Sequence, residues 1–271
     1  MRNIELRISY MGGNFSGWQI QPEARTVQGV IKNRLQRIFG DAEIKVVGCS
    51  RTDTGVHAHD QRVGFKTRST IPLDGLRRLL NGILPDDVRV RTCHERSAEF
   101  SVRRDARAKH YSYFVFNQRC ASPFVTPFVW TYGRKLDVVA MQEAAQHFVG
   151  HRCFKSLQAA ADIRTDTMSL IFDTEVGRRG EIVYFHVLGQ HFLYHMVRNM
   201  MGALLMVGWG EWSPDELGRR MESGERTLMG MTAPAMGLHL MEVFFGEGPF
   251  KLSPRGDAFL NYLSYPDEGF F

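Results

Sequence analysis

Apolar and polar side chains alternate at the start of the chain, from Ile4 to Tyr10. That two-residue period is typical of a half-buried strand. A helical period follows Thr26, a favoured N-cap residue, and ends at Gly40, a favoured helix terminator. Further along, the pattern predicts strands at 43–47, 61–67 and 88–93, a polar loop at 48–60, and a helix at 72–80 that ends before Asn81-Gly82. The first half therefore has the predicted order β-α-β-β-α-β.

The second half of the chain shows the same order of elements. Its predicted strands are 109–117, 168–176, 181–188 and 238–245, and its predicted helices are 137–147, 192–207 and an additional one at 212–221. The pattern predicts an α+β protein of two RRM-like, or ferredoxin-like, βαββαβ domains whose antiparallel sheets flank a basic cleft. The predicted domains are 1–105 and 106–246, followed by a tail at 247–271. We expect the tail to pack on the body through three apolar side chains, Phe259, Tyr262 and Leu263.

The composition excludes several classes of protein. The 271 residues are 44% apolar, which suffices for one large core or two ordinary ones. Lys and Arg number 34 against 29 Asp and Glu, and the resulting charge of +5 favours polyanionic partners. The longest apolar run, 200–209, is too short to cross a membrane, and the first strand lacks the pattern of a secretory signal. We therefore expect a cytoplasmic protein, with its four dispersed cysteines reduced.

A polar loop between two predicted strands carries the clearest candidate for chemistry. It has the sequence Arg51-Thr52-Asp53-Thr54-Gly55-Val56-His57-Ala58. Taken alone, Asp53 is explained by an Asx-turn, in which the carboxylate accepts backbone N–H bonds. An aspartic protease would need a second Asp-Thr-Gly loop, and the chain has none. A homodimer could supply that loop, but Arg51 would hold both carboxylates ionised.

The same loop resembles the RTDAGVHA signature of the tRNA pseudouridine synthase A family. Further blocks resemble that family in the same order, namely 10–21 (YMGGNFSGWQIQ), 26–28, 60–61, 81–85, 100–103, 109–113 and 191–208. The resemblance extends from residue 4 to about residue 245. Several ordered blocks at compatible spacing are far more specific than one loop, so the sequence is identified as a member of this family.

The resemblance implies an isomerase that converts uridine to pseudouridine in the anticodon stem-loop of tRNA, at tRNA positions 38–40. Asp53 is then the catalytic carboxylate, which acts on the ribosyl part of the target nucleotide while the uracil detaches, rotates and rejoins through carbon. Attack at C1′ and abstraction of a ribose proton both remain open. The resemblance also implies a homodimer whose partner is tRNA, with no DNA, no membrane and no cosubstrate.

Three further residues receive roles from the resemblance. Arg198, in an apolar stretch, is the candidate partner that orients Asp53 and keeps it ionised, although a structural salt bridge or a solvent-facing position would also explain it. Tyr111 shares one face of its strand with Tyr113, a pattern that is usually core. In the family, the first of these tyrosines stacks on the target base and takes part in proton transfer at C5. Arg51 fills the stack or grips phosphate when the base is extruded.

Basic residues follow in the next segment, where Arg103, Arg104, Arg107 and Lys109 suit either phosphate contacts or a solvated face. Histidine pairs stand at metal-ligand spacing in two places, His57 with His59 and His191 with His195, but no Cys or acid completes either set. We therefore expect no metal and no cofactor.

The chain departs from the family pattern at three positions, Met11, Thr54 and Cys153. Neither Met11 nor Thr54 carries a proposed reacting group, and Cys153 stands where the family block usually has an Asp, which removes one negative charge. The alternative to an enzyme is a noncatalytic tRNA-binding protein of the same fold, and the intact set of Asp53, Tyr111 and Arg198 favours the enzyme.

Overall fold

The first of two structural units comprises Met1–Arg107 and Glu242–Glu247 in a computed structural model that describes residues 1–263. Its elements follow one another as β1 (Arg2–Tyr10), α1 (Val27–Phe39), β2 (Val47–Gly48), β3 (His57–Thr67), α2 (Leu73–Ile83) and β4 (Val88–Arg96). Helix α1 begins where expected, because the Thr26 hydroxyl caps Gly29 N–H. It ends at Gly40, whose φ of 64° is left-handed.

Strand β1 lies at the centre of the first unit, antiparallel to both β3 and β4. Its alternation separates two faces. Ile4, Leu6 and Ile8 are almost fully buried, and they belong to a core that also contains apolar side chains of α1 and α2. The intervening positions carry polar side chains, among them Glu5 and Arg7. One face of the strand therefore serves the core, and the other carries charge.

The second unit comprises Ala108–Met241 and continues from Gly248. Its elements are β5 (Ala106–Phe116), β6 (Trp130–Thr131), α3 (Val138–Ala145), β7 (Gly150–Cys153), β8 (Met168–Arg179), β9 (Ile182–Gly189), α4 (Met196–Gly208), α5 (Pro214–Glu222), β10 (Leu238–Phe245) and α6 (Pro254–Leu263). Strand β10 contributes residues to both units. In this unit the strand order is β5-β9-β8-β7 with antiparallel pairing, and the short β6 pairs parallel to β5. The protein is therefore α+β, with mostly antiparallel strands.

Some element boundaries differ from the sequence prediction. Helix α2 does not end at Asn81-Gly82 but continues to Ile83. The Asn81 amide does not form a turn. Instead it bonds both backbone groups of Val90, at 2.9 and 2.8 Å, and so ties α2 to β4. Helix α4 begins at Met196, four residues later than predicted, because His195 has a φ of 60° and lies in the left-handed region.

The C-terminal segment forms a helix that packs on the second unit. The Phe259 ring lies 5.6 Å from that of Phe114 and 6.0 Å from that of Phe128. Leu263 is buried, whereas Tyr262 is 62% exposed. Two of the three side chains expected to pack therefore do so. Residues 264–271 of the predicted tail lie outside the described residues.

In the part of the chain that the structure describes, no helix is both long and apolar enough to cross a membrane. None of the four cysteines forms a disulfide bond, and all four lie within the described residues.

Candidate active site

Asp53 lies in a loop, residues 49–56, that connects β2 to β3. The backbone on both sides of it is fixed. The Thr52 carbonyl accepts the Trp18 N–H at 3.0 Å, and the Asp53 carbonyl accepts the Val56 N–H at 3.1 Å, which closes a turn. Gly55 allows that turn, since its φ of 82° is left-handed. The side chain of Asp53 is partly buried, and that of Arg51 is exposed.

Two glycines let the segment after β1 lie directly against this loop. A Cβ on Gly12 would come within 2.1 Å of the Val56 carbonyl oxygen, and one on Gly17 within 2.7 Å of the Thr52 carbonyl oxygen. No side chain fits at either position without a shift of the backbone. Both glycines belong to the block 10–21 that carries the family resemblance, but their contact with the loop was not predicted from the sequence.

Side chains of the first unit also hold the loop. The Tyr10 and Thr52 hydroxyls are 2.7 Å apart in a buried contact. Burial raises the pKa of the Tyr10 hydroxyl above its ordinary value, so Tyr10 stays neutral and keeps its proton. Gln61, on β3, brackets the start of the loop, because its side-chain amide accepts the Ser50 N–H at 3.1 Å and donates to the Ser50 carbonyl at 2.7 Å.

A buried network of charges lies on β3 and β1. Arg7 makes two bonds to Asp60, at 2.9 and 3.0 Å, and Arg62 bridges Asp60 and Glu5 at 3.0 and 2.6 Å. Burial alone would raise the pKa of Asp60, but the bonds from Arg7 and Arg62 outweigh it and hold that pKa below its ordinary value. Asp60 is fully buried and already occupied by two arginines, so we assign it a structural role.

In the second unit, Tyr111 lies on β5 opposite Val187 and is 8% exposed. The Phe192 ring meets it edge to face, with centroids 5.1 Å apart. The predicted alternation along this strand is confirmed. Tyr113 donates to the Pro234 carbonyl at 2.6 Å, whereas Ser112, one position earlier, lies 2.7 Å from a ring nitrogen of His186.

Arg198 lies in the first turn of α4, half-buried. Its Nε donates to the Ala233 carbonyl at 2.8 Å, and its own carbonyl accepts the Ala233 N–H at 3.2 Å. Burial raises the pKa of the nearby Tyr113 hydroxyl, and the charge of Arg198 partly opposes that rise. The arginine is therefore held by a segment 35 residues away in the sequence. The alternative of a solvent-facing Arg198 does not fit this contact.

The predicted site residues fall into two groups. Arg51 and Asp53 share the loop of the first unit, and Tyr111 and Arg198 belong to the second. The sequence did not predict the contacts of Tyr111 and Arg198. Tyr111 contacts the Phe192 ring, and Arg198 contacts the backbone of Ala233. Phe192 lay inside a resembling block without a role. The Ala233 contact left no sequence signal, since residue 233 takes part through its backbone atoms alone.

The histidines considered as metal ligands have other partners. His57 Nδ1 accepts the Gly12 N–H at 3.1 Å, and His191 Nε2 lies 2.8 Å from the Met168 carbonyl. Within residues 1–263, no three His, Cys, Asp or Glu side chains converge as a metal site would require.

A family model and the curated relatives agree on one family. A family model described as tRNA pseudouridine synthase matches residues 7–104 and 144–246. Among curated proteins, a tRNA pseudouridine synthase A of Geotalea uraniireducens is 39% identical, and one of Caldicellulosiruptor saccharolyticus 36%. Each alignment covers 90% of this chain and all of the relative. Among solved structures, a Cbf5-Nop10-Gar1 complex contains a chain that matches with a TM-score of 0.33 and 12% identity, over 74% of this chain and 54% of that one.

Proposed function

Because this chain belongs to the tRNA pseudouridine synthase family, we propose that it is an isomerase that converts uridine to pseudouridine in tRNA. The observation that carries the proposal is the loop of Asp53. Its sequence matches the family signature except at Thr54, and its backbone is fixed on both sides of the aspartate by Trp18 and Val56. A carboxylate held in this way suits a reaction in which it must meet one atom of a ribose.

The proposed reaction rearranges a single nucleotide. The bond between N1 and C1′ breaks, the uracil rotates, and a bond between C5 and C1′ forms. The proton on C5 leaves, and N1 gains one, so atoms balance without a cosubstrate. Asp53 acts as the ionised carboxylate at the ribosyl group. Tyr111 stacks on the base and assists the proton transfer at C5.

The two arginines have electrostatic and positioning roles in this proposal. Arg198 pairs with Asp53, because a guanidinium orients a carboxylate and favours its ionised form. Arg51, exposed beside Asp53, contacts phosphate or takes the place of the extruded base. The finer description of the fold belongs to the same proposal, with two RRM-like domains at 1–105 and 106–246 and a basic cleft that receives the anticodon stem-loop.

Two further elements of the proposal rest on the family resemblance, namely that the target uridines are tRNA positions 38–40 and that the enzyme is a homodimer. A third, that it works in the cytoplasm, rests on the hydropathy pattern of the sequence. A homodimer predicts a mass in solution of about twice the 31.0 kDa chain, which light scattering measures directly.

The test is turnover on an unmodified tRNA transcript, without added metal or cosubstrate, followed by mapping of the modified positions. We expect pseudouridine at positions 38–40 and none in a transcript whose uridines there are replaced by cytidine. Tight binding of tRNA without product would contradict the enzyme and favour the noncatalytic tRNA-binding protein. Product at other positions would keep the reaction and overturn the assigned targets.

A further inference from the structure

Arg226 makes three hydrogen bonds to neutral groups in the second unit. One terminal nitrogen donates to the Gly230 carbonyl at 2.8 Å. The other donates to Asn199 Oδ1 at 2.9 Å and to the Thr232 hydroxyl at 2.8 Å. Such bonds compensate a half-buried guanidinium for its lost hydration. Its planar fork can reach all three acceptors at once, which a lysine ammonium on a flexible stem cannot reproduce.

Two acceptors of Arg226 are sequence neighbours of the Arg198 contact. Asn199 is next to Arg198 itself, and Thr232 is next to its partner Ala233. Asn199 follows Arg198 in α4 and is fully buried. Its Oδ1 also accepts the Thr232 hydroxyl at 2.6 Å, and its Nδ2 donates to the Leu157 carbonyl at 2.7 Å. Asn199, Thr232 and Arg226 thus form a closed triangle of bonds between the first turn of α4 and the chain around residue 232.

We use the name strap for residues 226–234, which lie across α4. The strap approaches the helix so closely that a Cβ on Gly202 would be 1.8 Å from the Met231 carbonyl oxygen. Its far end is fixed by the bond from Tyr113 to the Pro234 carbonyl. Between the two fixed ends lies Ala233, whose carbonyl accepts Nε of Arg198. The strap therefore sets the position of a backbone oxygen that holds this guanidinium.

We propose that Arg226 is a positioning residue, which fixes the guanidinium of Arg198 by holding the strap in place through Asn199 and Thr232. The inference rests on the role of Arg198 in the proposed function. A long arginine side chain has several rotatable bonds, and it is useful to a reacting carboxylate only in one orientation. Fixing Nε restricts that freedom and directs the terminal nitrogens.

A purely structural Arg226 makes a different prediction. Its replacement would lower the activity by the same factor, and the free energy of unfolding by the same amount, whatever residue stands at position 198. A positioning residue acts only through Arg198, so its loss should matter little once that arginine is replaced. A double-mutant cycle therefore separates the two.

The experiment measures the single-turnover rate constant of pseudouridine formation, the Kd for tRNA and the thermal midpoint. The variants are Arg226→Met, Thr232→Val and Thr232→Ser, each in the wild-type chain and in an Arg198→Lys background. Thr227→Val, an exposed threonine on the same strap, is the matched control. Thr232→Ser keeps the hydroxyl that bridges Arg226 and Asn199 and so serves as the conservative rescue.

In the wild-type chain we expect Arg226→Met and Thr232→Val to lower the rate constant about 10- to 100-fold, as for a group displaced by part of an ångström. Thr232→Ser and Thr227→Val should stay within about twofold of wild type, and the Kd should change no more than that. In the Arg198→Lys background the same changes should alter the rate by less than about twofold. If Arg226→Met does not fold, the Thr232 pair decides.

Equal losses in both backgrounds, or no loss in either, would overturn the inference. Two failures can be told apart. If Arg198→Lys reacts at the wild-type rate, the role given to Arg198 in the proposed function is wrong. If Arg198→Lys loses activity while Arg226→Met and Thr232→Val do not, only the positioning role of Arg226 is wrong.

Discussion

The loop around Asp53 and the strap around Arg198 hold their residues in different ways. The loop is fixed at its backbone, where Trp18 binds the Thr52 carbonyl next to the aspartate. The strap reaches the side chain itself, through the Ala233 carbonyl on Nε of Arg198. An aspartate side chain has only two rotatable bonds, so fixing its backbone leaves few positions for its carboxylate. An arginine has more, and it needs a contact near the end of the side chain.

Among changes to the contacts that support the loop, the largest effect should come from filling the space between the loop and the segment after β1. Gly12→Ala places a Cβ within 2.1 Å of the Val56 carbonyl oxygen, so the backbone around Asp53 has to move. We expect stability to fall by about 1–3 kcal/mol, and the rate of pseudouridine formation to fall more than tenfold, since a small displacement of a reacting group is costly.

Gly13→Ala is the matched control for that variant. Its Cβ would meet no atom within 4 Å. Urea unfolding and single-turnover kinetics should place it within about 0.5 kcal/mol of wild type, with unchanged rate. Equal behaviour of the two variants would show that the close approach of Gly12 does not determine the loop geometry.

Acid should weaken the second unit through its buried histidines. Burial lowers the pKa of His110 to about 3 and that of His186 to about 4. The unfolded chain, with histidine pKa values near 6.5, binds these protons first, so stability is lost as pH falls from about 6.5 towards 4. Each histidine contributes a slope of about 1.4 kcal/mol per pH unit.

The variant that tests this slope is His186→Asn, whose side-chain amide can still form a hydrogen bond with the Ser112 hydroxyl. We measure the free energy of unfolding by urea between pH 4.5 and 7.5. Below about pH 6, its slope against pH should be smaller than that of wild type by about 1.4 kcal/mol per pH unit, which corresponds to one proton. This difference does not depend on the stability at neutral pH. An unchanged slope would mean that His186 does not titrate with the unfolding of this unit.

The smallest effect concerns the hydroxyl contact behind the loop. Tyr10→Phe removes the partner of the buried Thr52 hydroxyl, which lies 2.7 Å away. We expect a loss of about 1 kcal/mol in stability and a smaller loss of rate than for Gly12→Ala. Tyr262→Phe is the control, because that ring is 62% exposed. A rate lower than that of Gly12→Ala would show that the hydroxyl does more than support the backbone.

The loop could be found from the sequence, and the strap could not. Asp53 and its neighbours form one short motif, so their chemistry and spacing are visible in eight consecutive letters. The bond between Arg198 and Ala233 joins positions 35 residues apart and uses a backbone oxygen, which any residue type provides. The predicted end of α2 was wrong for a similar reason. The bonds from the Asn81 side chain to Val90 in β4 override the local preference of Asn81-Gly82 for a turn.

The most direct test of the catalytic role of Asp53 is the rate of pseudouridine formation by Asp53→Asn on a tRNA transcript that the variant binds. The amide keeps the shape of the side chain and removes its charge. We expect a Kd for tRNA within about twofold of wild type and no pseudouridine in the time that wild type converts the transcript fully. Product at a rate near that of wild type would contradict the assignment of Asp53 as the catalytic carboxylate.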